Sequence, residues 1–298
     1  MAHAHYAGFQ SLDVSLTVAL VLATFVYTRG WLRLRKVDDN RIAVWRAVSF
    51  LLGLFLTWVA LASPVAGFDH ELLTVHMIQH LLLMTLAPPL IWLGEPMMPL
   101  LHGLPQRLGQ VVINPLFRSA RVQRLGKALA HPAILWLAAA GTLVGWHIPG
   151  VFMLGLQSEM WHGIEKASFL ASGLLFWWPV VQPWPTVSKS SEWSMVLYLF
   201  LATLPCDILS GFLVFCDRVV YPIYFYSPRP LGFSALEDQQ YAGALMWTCV
   251  TIVYLVAGAI LTARLLAPPQ HARGHGPLQS DWQGSAVPHT VRQSMEAL

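Results

Sequence analysis

The sequence predicts an all-α membrane protein, a seven-transmembrane-helix bundle with its N-terminus outside and its C-terminus in the cytoplasm. Three observations carry this. Only 11% of the 298 residues are charged and 56% are hydrophobic, against roughly 25% charged in an average soluble domain. The apolar residues gather into seven runs, near 13–28, 45–62, 72–93, 132–148, 162–181, 193–215 and 241–263, close to the about 20 residues a helix needs to cross a bilayer. Most of the 18 Lys and Arg residues fall on one side of those runs, as cytoplasmic loops require.

Each run is bounded by charged residues, Pro or Gly, and is read as a helix because hydrocarbon cannot satisfy a free backbone N–H or C=O. A transmembrane barrel would show alternating strands of about 10 residues instead. Orientation follows from the basic residues. The first loop and its flank carry Arg29, Arg33, Arg35, Lys36, Arg41 and Arg46, and the third loop carries Arg107, Arg118, Arg121, Arg124 and Lys127. Lys189, Arg264, Arg273 and Arg292 join them; Arg218 and Arg229 lie on the other side, and Lys166 inside the fifth run. Positive charges follow the first run rather than precede it, which disfavours a cleaved signal peptide. The net charge of +3 therefore reflects topology, and the expected surroundings are membrane lipid, with no nucleic-acid partner.

The domain reading is an outer N-terminal tail over 1–12, a membrane domain over 13–266 and a disordered cytoplasmic tail over 267–298, where Pro268, Pro269 and many Gly, Ser and Gln leave too little apolar surface to fold. In the third loop, Arg118, Arg121, Arg124 and Lys127 stand opposite Leu116, Val122, Leu125 and Leu129, the pattern of a basic amphipathic helix on the inner leaflet. Trp58, Trp92, Trp146, Trp161, Trp177, Trp178 and Trp193 lie near span ends, as an aromatic belt does. Three cysteines make no disulfide framework. Cys206 and Cys216 share the sixth helix about 15 Å apart, too far to bridge. Pro88 and Pro89 break the third span, and Pro205 breaks the sixth beside Cys206 and Asp207, freeing carbonyls inside the bundle.

The twelve histidines carry the functional information. His102, His131, His271, His275 and His289 fall in the inner loop and tail, where a solvated imidazole needs no explanation. His3, His5, His70, His76, His80, His147 and His162 all map to the outer face or the outer half of a helix. From an edge near residue 72, His76 and His80 sit about 6 and 12 Å deep. They are four apart and share one helix face, with Met77, Gln79 and Met84 close by. His147 ends the fourth helix and His162 begins the fifth at the same level.

Imidazole and thioether suit copper, Cu(I) especially, whereas Mg or Ca would need a carboxylate cluster. The expected metal set is therefore His76, His80, His147, His162 and Met77. Asp238 and Gln79 are expected partners of the imidazoles, since a metal-bound His commonly donates its other N–H to a carboxylate or carbonyl. His70, Cys206, Asp207, Cys216 and Met84 are further candidates, and His3 and His5 form a candidate copper-collecting arm. The bland alternative is a set of interhelical hydrogen bonds, worth roughly 0.6 kcal/mol each. No nucleophile or acid/base pair stands out, so a non-enzyme is expected.

Several motifs in order give the chain a family resemblance. His76-Met77-Ile78-Gln79-His80 followed by Ala87-Pro88-Pro89-Leu90 and Gly94-Glu95-Pro96 resembles the third helix of the CtaG-like cytochrome c oxidase assembly factors, seven-helix bacterial membrane proteins. Trp146-His147-Ile148-Pro149 is similar to that family's His-x-Pro, and His162 to the His that opens its fifth helix. Trp177-Trp178-Pro179, Tyr221 with Tyr224, and Asp238-Gln239-Gln240-Tyr241-Ala242-Gly243 with Met246-Trp247 resemble later family segments. The likeness runs over roughly residues 10–265; the chain beyond 266 departs from it.

The resemblance implies a place in the bacterial cytoplasmic membrane and a role in maturing haem-copper oxidases, by supplying or handling copper for the oxidase catalytic subunit. Cu(I) would then arrive from a periplasmic or extracellular donor. The alternative is a membrane redox protein with haem b held by two histidines from different helices, such as His80 with His147 or His162.

Overall fold

The computed structural model describes residues 2–37, 43–105, 131–181, 192–227 and 232–266, and the side chains of 14–36 within the first of these stretches. The basic amphipathic helix expected over 116–129 and the tail beyond 266 lie outside the described residues. No strand occurs among those described. The helices are α1 (Ala2–Val37), α2 (Val44–Ala62), α3 (Leu73–Leu81), α4 (Ala87–Leu93), α5 (Met97–Gly103), α6 (Pro132–Trp146), α7 (Pro149–Gln157), α8 (Glu159–Val181), α9 (Glu192–Phe215) and α10 (Ala235–Leu266). The backbone of α1 starts at Ala2, inside the stretch expected to be a tail; the side chains of His3 and His5 are outside the description.

Among the described residues, five helical stretches are long and apolar enough to cross a membrane: Val14–Lys36, Val44–Ala62, Leu73–Leu93, Trp193–Phe215 and Ala235–Leu266. A sixth arises if α6 and α7 count together, but they bend by 77° at their junction. The helix expected over 132–148 thus ends at Trp146. Pro149 is the cause: the residue before a proline is driven out of the α region, and Ile148 is extended there (φ −64, ψ 124). The run expected over 162–181 lies in α8, which is 23 residues long but carries Glu159, Glu165 and Lys166 among its apolar residues.

Helix α3 packs against α10 and α2, while the turn that follows it and α4 pack against α8. Between α3 and α4, residues Leu82–Leu86 form a π-helical turn. Pro88 and Pro89 follow it and bring no N–H, so a carbonyl one turn earlier loses its partner. The Trp177 Nε1–H donates to the Met84 carbonyl at 3.1 Å and supplies that lost bond from α8. The two backbones meet closely here because residue 173 is glycine: a Cβ there would stand 2.8 Å from Met84 Cα. The buried core runs from Leu73 and Met77 through Phe169 and Phe176 to Tyr254 and Leu261. The broken third span therefore locks against α8, and that contact sets how histidines on α3 face acids on α8.

Candidate metal centre

His76 and His80 lie one turn apart on α3 and their rings stand 4.3 Å apart. His76 Nε2 is 3.3 Å and His80 Nε2 is 3.4 Å from the same atom, Glu165 Oε1, on α8. His76, His80 and Glu165 together could hold one metal ion, their ligand atoms lying within 4.8 Å of one another. All three are buried. Both ring nitrogens of His76 and of His80, and both Glu165 oxygens, have no hydrogen-bond partner. Buried polar atoms left unpaired cost about 1–3 kcal/mol each, so six such atoms in one cluster fit a cation better than an empty core.

The bend at His147 builds the wall of this centre. It turns α7 so that Phe152 packs 4.9 Å from the His76 ring and Gly155 faces Glu165. A Cβ at Gly155 would sit 2.9 Å from Glu165 Oε2, so the carboxylate uses space that only glycine leaves. Gly155→Ala is expected to keep the fold, because the colliding atom ends a flexible side chain, while lowering metal affinity about 10-fold, the lower end of what a disturbed metal surrounding costs. Cu(I) titration of the solubilised variant, with its thermal midpoint as control, checks this.

His147 and Met77 form the flank. The His147 Nδ1 lies 2.7 Å from the Leu143 carbonyl, which can only accept, so in the neutral ring Nδ1 holds the proton and Nε2 presents its lone pair. That Nε2 is 3.3 Å from Met77 Sδ, and the His147 ring is 5.7 Å from the His80 ring. Tyr221 Oη–H donates to the His147 carbonyl at 3.0 Å and fixes the bend. His80 in turn stacks on Phe169 at 3.8 Å.

Toward the N-terminal end of α8, His162 Nε2 is 3.3 Å and Lys166 Nζ is 2.9 Å from Asp69 Oδ2. Asp69, His76 and His162 make a second group that could hold a metal ion, so His76 belongs to both. His70, 40% exposed at its side chain, reaches within 3.7 Å of Asp69 Oδ1. Burial works to raise the Asp69 carboxyl, yet Lys166, His162 and His70 hold it below the ordinary carboxylate range. Burial likewise pushes the His70 imidazole below its usual value, against the pull of Asp69.

The four histidines expected to gather, His76, His80, His147 and His162, are brought together, with Met77 beside them. Sequence reasoning missed Glu165 and Asp69 as members. Asp238 does not reach the imidazoles, contrary to expectation. Its carboxylate instead accepts the Leu73 N–H at 2.6 Å and the Thr74 N–H at 3.1 Å, capping α3. Gln79 also bonds elsewhere, donating from Nε2 to the Ala66 carbonyl at 3.0 Å. Met84 and Cys206 line a small cavity beside His80, of about 40 Å³. Asp207 and Cys216 are half-buried on or just past α9 and belong to neither metal-capable group.

The family model described as cytochrome c oxidase caa3 assembly factor matches residues 25–267, which takes in every residue of both groups. The chain belongs to that family. It is 23% identical over 264 residues to the uncharacterized protein ML1998 of Mycobacterium leprae, covering 86% of this chain and 39% of that one. It is 24% identical over 261 residues to the uncharacterized protein Mb0105 of Mycobacterium bovis, covering 84% of this chain and 38% of the relative. The chain thus spans about two-fifths of the length of these relatives. No solved structure matches it. Family membership and the apolar helices make it a multi-pass membrane protein.

Proposed function

We propose that this assembly factor binds copper as its cargo at the histidine cluster and passes it to the catalytic subunit of a haem-copper oxidase, acting as a carrier and not as an enzyme. The observation that carries the reading is the convergence of His76 Nε2 and His80 Nε2 on Glu165 Oε1, in a buried site whose nitrogens have no other partner. Charge decides the oxidation state. Glu165 and Asp69 are buried acids and, among the described residues, Lys166 is the cation paired with Asp69. With neutral histidines one negative charge is left over, and a monovalent ion balances it. Cu(I) is such an ion, and imidazole and thioether suit it; His147 and Met77 extend the ligand set.

In this reading α8 and the bent α6–α7 pair complete a seven-helix bundle in the bacterial cytoplasmic membrane, N-terminus outside. Donors of copper then reach the cluster from the outer side. The haem b alternative is disfavoured by space. The His80 and His147 rings lie 5.7 Å apart and the adjoining cavity of about 40 Å³ is far below the roughly 300–1,000 Å³ of small-molecule pockets.

A deletion strain grown on scarce copper tests the proposal. Active haem-copper oxidase and its copper content are expected to fall, while copper-free terminal oxidases keep their activity. Normal oxidase copper in that strain would refute the carrier role. Purified protein that shows a strong visible haem absorption would instead favour the alternative.

A further inference from the structure

The outer group holds a feature that the inner one lacks, a resident cation. Lys166 Nζ stands 2.9 Å from Asp69 Oδ2, the same oxygen that His162 Nε2 approaches at 3.3 Å. Asp69 is fully buried, so its charge needs a counter-ion at all times. Two cations cannot share that one buried oxygen without strong repulsion, since charges a few ångströms apart in a poorly polarisable interior interact by several kcal/mol.

We propose that Asp69, His162 and His76 form an outer station for the cargo metal, and that Lys166 holds the Asp69 carboxylate until the metal exchanges with it. The proposal rests on the copper reading above. Exchange of an ammonium for Cu(I) keeps the charge unchanged, one monovalent cation for another. His76 is the pivot, because it is common to the outer and inner groups; its ring lies 5.9 Å from that of His162 and 4.3 Å from that of His80. Copper therefore steps from Asp69 and His162 to Glu165 and His80 while keeping one ligand.

Lys166 has a place to go. A cavity of about 530 Å³ among α1, α2 and α8 is lined by Lys166, His162, Gly163 and Glu159. Glu159, His162, Gly163 and Lys166 form one stripe of α8 at spacings of three, one and three. A Cβ at Gly163 would meet nothing within 4 Å, so the stripe is open beside the lysine.

The test uses the full-length protein in detergent, titrated with Cu(I) against a colorimetric chelator. Lys166→Met removes the charge and keeps the chain length, so Cu(I) affinity is expected to rise about tenfold and loading to quicken, whereas Lys166→Arg stays at or below wild type. In an Asp69→Asn background the Lys166→Met gain should vanish, since groups acting on one another are non-additive. A second readout needs no variant: loading wild type with Cu(I) should increase acylation of Lys166 by an amine-reactive ester, read by mass spectrometry. A purely structural ion pair would give Lys166→Met protein of lower stability with no gain in affinity, and an unchanged lysine reactivity; those results overturn the exchange. Wild type that binds no Cu(I) at all overturns the copper reading itself, and the exchange with it.

Discussion

His76→Ala is expected to lower Cu(I) affinity by at least about 100-fold, and by more than either His80→Ala or His162→Ala. Losing an outer partner of a metal costs about 10–100-fold, and His76 is a candidate ligand itself, counted in both metal-capable groups. His80→Ala leaves Asp69, His76 and His162 intact, and His162→Ala leaves His76, His80 and Glu165. Only His76→Ala breaks both. The comparison also controls for packing. His76 and His80 sit on one helix, both buried, so each Ala variant removes the same ring and leaves a similar void, about 2–4 kcal/mol of stability in a core. Thermal midpoints of the two apo variants should therefore agree within a few degrees while their affinities differ. Equal losses of affinity, or a greater loss for His80→Ala, would show that the two groups do not share a ligand.

Much of this site was legible in the sequence because it follows helical periodicity. His76 and His80 at i, i+4 must share a face, and the Pro149 that ends α6 also fixes where His147 stands. The acids were harder to see. Glu165 and Lys166 follow His162 by three and four residues, which puts all three on one face of α8. Ionisable groups inside an apolar run default to function; that signal was present and pointed to Glu165. Asp69 carried no such signal, since it lies in the 3-10 segment Pro64–His70, where neither the period of 3.6 nor that of 2 applies.

The span count shows the opposite limit. Hydropathy alone reads 132–148 as one crossing, but the backbone rule at Pro149 overrides it and turns α7 across the site. Asp238 was placed near the histidines for a sound reason, its position in the first turn of the last helix. Its acceptors found backbone donors instead, because the start of α3 lacks a side-chain cap of its own at Leu72 and exposes N–H groups that need one.

That cap makes Asp238 the site of the second large effect. Asp238 Oδ2 accepts the Leu73 N–H at 2.6 Å, and Oδ1 accepts the Thr74 N–H at 3.1 Å and the Thr74 Oγ1–H at 2.6 Å. A carboxylate at a helix N-terminus also meets the positive end of the helix dipole. Asp238→Ala removes the cap and leaves one buried and one half-buried donor unpaired, so a loss of about 2–3 kcal/mol is expected, the cost of an N-cap joined to that of orphaned N–H groups. Asp238→Asn retains one acceptor oxygen but turns an amide N–H toward a backbone N–H, and should lose about half as much. The effect reaches the metal through His76, which lies three residues past Leu73 in the first turn, whereas His80 is held a turn deeper. Copper affinity should therefore fall about tenfold in Asp238→Ala, as a weaker form of the His76→Ala defect, and in step with the thermal midpoint. Thr74→Val, which deletes the hydroxyl and keeps both backbone bonds, should change affinity little. Reduced affinity with an unchanged midpoint would mean that Asp238 acts on the imidazoles directly, and no change in either would mean that α3 does not depend on this cap.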